Sequence, residues 1–182
     1  MPRLLLSCAV AGALLFAPAA WARDPSPEER ADLEAALEVF YTALAEADAA
    51  TVVGVIPPRL LQRLADLYET PLPEVLSAMT EQTRHALQTV ELSSFESDLD
   101  TLDLAEDSLE DGTEVLWGFV PYVATGTLDG VEQDFEQPML VLREDGTWYF
   151  VRVESPAALS FIAAGYPFLE GADVPYPDAV QQ

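Results

Sequence analysis

The chain has 182 residues, half of them apolar, and 32 acidic against 8 basic residues give it a net charge of −24. Such a surface repels phosphate backbones and anionic lipid headgroups over about a Debye length, roughly 8 Å at physiological salt, which argues against nucleic acid as a partner. A lone cysteine and a lone histidine rule out an internal disulfide and an ordinary zinc site, and with no lysine or asparagine there is no Schiff-base nitrogen or N-glycosylation acceptor.

Arg3, the apolar run 4–17, Pro18 and the small residues flanking Trp21 in Ala20-Trp21-Ala22 read as a secretory signal cleaved after Ala22. The expected location is periplasmic or secreted. No stable membrane anchor is expected after cleavage, because Pro18 interrupts the run and Asp24-Pro25-Ser26-Pro27 follows it. Cys8 precedes most of the apolar stretch, which argues against a lipoprotein site. Residues 1–22 are thus the signal, 23–170 a single domain with one hydrophobic core, and 171–182 a Gly/Pro/Asp-rich tail expected to be mobile.

Ser26-Pro27-Glu28-Glu29 is a helix start, with a capping serine, a proline at the first helical position and an acid placed for a capping box. Leu33, Leu37, Phe40, Tyr41 and Leu44 then recur at helical spacing. The pattern loosens after Asp48, over 51–56, until Pro57-Pro58 starts a second helix with Leu60, Leu61, Leu64, Leu67 and Tyr68 on its apolar side. Past Thr70-Pro71-Leu72-Pro73, a third helix is expected to turn Val75, Leu76, Met79, Ala86, Leu87 and Val90 toward a core, with Glu81, Gln82 and Arg84 in water.

Beyond about residue 89 helical periodicity fades. Asp-Gly pairs at Asp111-Gly112, Asp129-Gly130 and Asp145-Gly146 predict hairpins joining strands over 113–128, 131–143 and 147–154, with shorter strands over 89–95 and around 102–104. Hairpin connections make the sheet antiparallel. Pro121 is expected to mark a bulge or bend in the longest strand, and 156–164 a short closing helix. The fold class is therefore α+β, N-terminal helices packed on a curved antiparallel β-sheet.

Val39-Phe40-Tyr41-Thr42-Ala43-Leu44 with Asp48 in the first helix, and Asp145-Gly146-Thr147-Trp148-Tyr149-Phe150-Val151 in a late strand, resemble the nuclear-transport-factor-2-like superfamily, the cone-shaped fold shared with ketosteroid isomerase and SnoaL-type polyketide cyclases. The resemblance implies a helix laid across a concave sheet, enclosing a cone that serves some members as an active site, others as a ligand pocket, and is packed solid in others.

His85 could act as a general acid or base oriented by Glu81, although surface helix histidines are far commoner. The acidic stretch of Asp98, Asp100, Asp103, Glu106, Asp107, Glu110 and Asp111 fails as a calcium loop, with Asp103 where glycine belongs and Leu109 where glutamate belongs, and reads as a solvated edge. Isomerase-type chemistry needs a phenol, for which Tyr41, Tyr68, Tyr122 and Tyr149 are available, and a carboxylate that the sequence does not place inside the cone. Trp117, Phe119, Tyr122, Trp148 and Phe150 could line an apolar pocket, though core packing is the commoner use of such residues. The ligand-pocket candidates are Tyr41, His85, Trp117, Tyr122 and Trp148, with no cofactor and no metal expected. The reading is an exported non-enzymatic binding module for a small apolar ligand or a basic protein partner, with the sheet face also open to homodimer formation. Its alternative is an isomerase- or cyclase-like enzyme using a tyrosine and a carboxylate.

Overall fold

The computed structural model describes residues 22–89, 91–128 and 131–176, so residues 1–21, where the signal is expected, Val90, Asp129 and Gly130, where a hairpin turn is expected, and residues 177–182 lie outside the described residues. The first helix, α1 (Pro27–Ala45), starts at the expected capping box: the Glu29 amide donates to the Ser26 hydroxyl, and the Ser26 amide donates back to the Glu29 carboxylate at 2.7 Å. The Arg23 guanidinium grips the same carboxylate through two bonds of 2.7 and 2.8 Å, and the chain at Arg23 is bridged to Leu104 by two backbone bonds. Arg23, followed by the capping interactions, lowers the Glu29 carboxyl from 4.5 to about 2. A depressed folded-state value stabilises the fold above the unfolded value and loses that contribution as pH falls through the folded one. The stability advantage of the protein over Glu29→Gln, read by thermal unfolding, is therefore expected to be full at pH 6 and to shrink toward zero between pH 4.5 and about 2.

Where the helical pattern loosens, the chain forms a short helix instead, α2 (Ala49–Gly54). Asp48 enforces it by accepting from the amides of Ala50 and Thr51 and from the Thr51 hydroxyl at 2.6 Å. Next come α3 (Pro58–Leu67) and α4 (Leu72–Thr89). Val75 is the only buried residue of α4 and Ala86 is exposed, because this helix packs chiefly on α2 and α3 rather than on the sheet; that corrects the expectation of a core-facing stripe along its length.

Five antiparallel strands make a curled, half-barrel sheet: β1 (Glu91–Ser97), β2 (Ala105–Ser108), β3 (Glu114–Leu128), β4 (Val131–Glu144) and β5 (Thr147–Arg152). β3 is its spine. It pairs with β4 along nearly its whole length, while its other edge takes β2 over 114–117 and β1 over 122–127. The segment between β1 and β2 includes a 3₁₀ turn, Leu99–Thr101, and buries Leu102 and Leu104. The strand expected around 102–104 thus pairs a few residues later, as β2.

Pro121 carries no bulge in its pairing with β4. It stands opposite Pro138, in a register without a shift. Neither imino nitrogen can donate, so the two prolines form a pair that exchanges no hydrogen bond and keep the ladder's register intact. The bulge lies in β1, where Ser93 is the extra residue between Leu92 and Ser94 and brings Leu92 and Phe95 onto one face.

Alternation assigns the two faces. One buries Leu116, Val120, Tyr122, Met139, Val141, Trp148 and Phe150 against Leu33, Leu37 and Phe40 of α1. The other buries Val115, Leu140, Leu142 and Val153 against Leu60 of α3 and against Ile162, Tyr166 and Leu169 of the closing segment, which comprises α5 (Pro156–Ala163) and a 3₁₀ turn, Pro167–Leu169. Fully burying each such side chain contributes about 1.5–3 kcal/mol. Val174 is buried in this second core, so the docked chain continues past Gly171. The outer edge of β5 is closed where the Phe150 amide donates to the Val55 carbonyl at 2.8 Å. Among the described residues no helix is long and apolar enough to cross a membrane.

Candidate functional site

The acidic stretch expected to be a solvated edge is divided among specific partners. Asp100 pairs with Arg30 at 3.1 Å, Glu106 with Arg23 at 2.7 Å and Asp111 with Arg59 at 2.7 Å, while Asp107 accepts from the Trp117 indole at 2.9 Å. Asp98 caps the 3₁₀ turn by accepting from the Asp100 amide at 3.0 Å. The run is therefore a seam: it pairs with the edge of β3 through β2, and three arginines, Arg23 before α1, Arg30 on α1 and Arg59 on α3, tie it to the helical layer.

Part of this seam opens into a cleft of about 390 Å³ between α1 and the end of β1. Glu34 and Glu38, one turn apart on α1, face Asp98 and Asp100 across it, with Tyr41 and Ser97 lining its inner part. Arg30 lines it too but is committed, donating to Asp100 and at 2.8 Å to the Leu99 carbonyl and lying 3.9 Å from the Glu34 carboxylate. Tyr41 belongs to an aromatic trio: its ring stacks on Phe95 at 5.4 Å and lies 6.3 Å from Tyr122, and Phe95 and Tyr122 are 6.3 Å apart. Burial, partly offset by the nearby Ser97 hydroxyl, raises the Tyr41 phenol above the ordinary tyrosine value. Burial likewise pushes Tyr122 up to about 12. Both phenols are therefore neutral hydrogen-bonding groups at physiological pH.

The fold thus brings Tyr41 and Tyr122 together and separates the other three candidates from them. Trp148 lies on the same face of the sheet, buried in the α1 core with the Arg143 guanidinium 5.9 Å from its ring centroid. Trp117 is on the opposite face, stacked on Phe168 at 5.5 Å. His85 is exposed on α4, and Glu81, expected to orient it, is salt-bridged to Arg84 instead. Phe95 was not among the candidates, because a single aromatic after two serines gives no alternating signal until the Ser93 bulge is known.

A second polar constellation occupies the other face. The Tyr166 hydroxyl donates to Glu144 at 2.7 Å, and Arg59, which holds Asp111, lies 3.4 Å from the same carboxylate. Tyr166 is wholly buried, and burial together with the Glu144 carboxylate holds its phenol well above the tyrosine range. Glu144 and Arg59 reach the wall of an open groove of about 830 Å³ bounded by α3, the start of α4 and the end of α5. This is a buried phenol meeting a carboxylate, with Arg59 shared between that carboxylate and Asp111 and the ring closed off from the groove's solvent. The arrangement fastens β4, α3 and the closing segment together. No group of three or more histidine, cysteine, aspartate or glutamate side chains among the described residues is disposed to hold a metal ion. The chain matches no protein-family model, no curated protein and no solved structure.

Proposed function

We propose that the chain is an exported, non-enzymatic binding module on a cone-shaped scaffold of the nuclear-transport-factor-2-like kind, and that the cleft between α1 and β1 takes a small organic cation. The observation that carries this reading is the conjunction, in one cleft, of the inner Tyr41 with four rim carboxylates, Glu34, Glu38, Asp98 and Asp100, against the single committed Arg30. The volume falls in the range of small-molecule sites, about 300–1,000 Å³. The core beneath α1 is filled by Leu33, Leu37 and Phe40, so the ligand is held at the cone's mouth, where charge rather than apolar area selects it. The field of a chain at −24 concentrates cations near its surface and repels anions. An ammonium group beside these carboxylates gains Coulomb energy, and an attached ring gains contact with Tyr41.

Benzyltrimethylammonium is the probe. Titration calorimetry is expected to show saturable 1:1 binding that weakens with salt, no binding of benzoate, and about a tenfold loss of affinity in Glu34→Gln/Glu38→Gln, the scale expected from removing two exposed charges. Equal binding of benzoate, or an unchanged affinity in the double variant, would exclude the cleft as a cation site.

A further inference from the structure

We infer that the exposed face of α3 is a contact between two copies of this chain, arranged about a two-fold axis so that Arg63 of each copy meets Asp66 of the other. Arg63 and Asp66 lie one turn apart, both exposed and both lining the groove beside α3. They do not pair with each other: Asp66 accepts from Gln62 at 2.8 Å, and the Arg63 guanidinium sits 5.7 Å from the Phe161 ring centroid. Six of the seven arginines among the described residues have a carboxylate partner, and Arg63 is the one without. At the C-terminal end of the same helix, Leu67 and Tyr68 are 64% and 68% exposed, two of only four large apolar side chains so exposed among the described residues. Adjacent exposed apolar groups beside a charge with no carboxylate partner are the composition of a contact surface.

A second copy fits this face because it is self-complementary. In a two-fold contact residue i meets j while j meets i. Laying two α3 helices antiparallel about an axis between Arg63 and Asp66 creates two equivalent opposite-charge pairs from one pair of residues and brings the apolar ends of the two helices over the groove. The uncovered part of the sheet's second face, away from α1, opposes self-association. There Glu132, Asp134 and Glu136 alternate on β4 and share a face with Glu96 of β1 through the β3 register, all four are exposed, and no described arginine pairs with any of them. A sheet-to-sheet dimer would set like charges against each other.

Sedimentation equilibrium at roughly 100 μM protein and about 150 mM salt tests this through charge exchange, since dimer population follows protein concentration and the salt screens non-specific effects. The unaltered chain is expected to sediment as a dimer. Arg63→Glu and Asp66→Arg are each expected to raise the dimer dissociation constant at least about tenfold, because each now places like charges together twice. The double variant, R63E with D66R, restores both opposite-charge pairs and is expected to return the dimer. All the positions are exposed, so each variant retains the fold, checked by its thermal midpoint. A chain that sediments only as a monomer, single variants that dimerise as well as the unaltered chain, or a double variant that stays monomeric would each overturn the inference.

Discussion

Gly118→Ala is expected to destabilise the fold by about 2–3 kcal/mol, the cost typical of forcing a methyl group into a close-packed interior. The sign is the reverse of the usual one: where the backbone is unstrained and space is open, alanine in place of glycine stabilises by about 0.4–1 kcal/mol through the unfolded chain. At position 118 the added carbon would stand 2.4 Å from the Asp103 carbonyl oxygen and 2.7 Å from a Leu102 methyl. A backbone carbonyl cannot rotate aside. Asp103 is pinned by its neighbours, Leu102 at 2% and Leu104 at 0% exposure, and Leu104 is bonded to Arg23 through both its amide and its carbonyl. The glycine therefore lets the chain between β1 and β2 cross close over β3, which carries the acidic seam and one wall of the cleft. Gly54, with nothing within 4 Å of the equivalent carbon, supplies the control, and Gly54→Ala is expected to be neutral or more stable. In urea denaturation, equal midpoints for the two variants would show that the close approach contributes nothing.

Local chemistry made much of this fold legible. Ser26 and Glu29 announce the start of α1 because both halves of a capping box lie within four residues, and the box forms. Asp145-Gly146 announces the β4–β5 turn because both residues must take positive φ, observed at 50° and 78°. α2 was hidden because Val52, Val53 and Gly54 are poor helix formers; the side chain of Asp48 overrides that preference by capping three donors. The separation of Trp117 from Tyr122 was legible in principle. Residues of odd and even number on one strand point to opposite faces unless a bulge intervenes, and β3 pairs with β4 without one. The Arg59–Glu144 contact joins residues 85 apart in the chain, and no local pattern of charges encodes such a pairing. The cleft shares that opacity, since Tyr41, Phe95 and Tyr122 meet only after the helix, the bulged strand and the spine strand have assembled.

Tyr166→Ala is expected to cost about 3–5 kcal/mol, the range for removing a large ring from a packed core, and Tyr166→Phe about 1.5 kcal/mol. The two substitutions separate packing from polarity. The ring is 0% exposed and lies among Leu60, Leu140, Leu142 and Ile162, so truncation leaves a cavity under three elements at once. The hydroxyl donates to a carboxylate at 2.7 Å, and phenylalanine would leave Glu144 with Arg59 alone. The polar share also has a pH signature. Because burial and Glu144 raise the folded-state value of the phenol above its unfolded value of 10.0, the hydroxyl's contribution is full below pH 10 and declines as pH rises beyond it, where the unfolded tyrosine ionises first. The advantage of the unaltered chain over Tyr166→Phe, measured by urea denaturation, should therefore hold constant from pH 7 to 9 and diminish above 10. A difference that persists unchanged at high pH would mean that the phenylalanine variant loses stability through shape and not through the Glu144 hydrogen bond. Since Tyr166 follows directly on Ala164 and Gly165 at the rim of the α3 groove, the same variants should loosen the surface on which two copies meet, and weaker self-association in Tyr166→Phe would tie this buried hydroxyl to assembly.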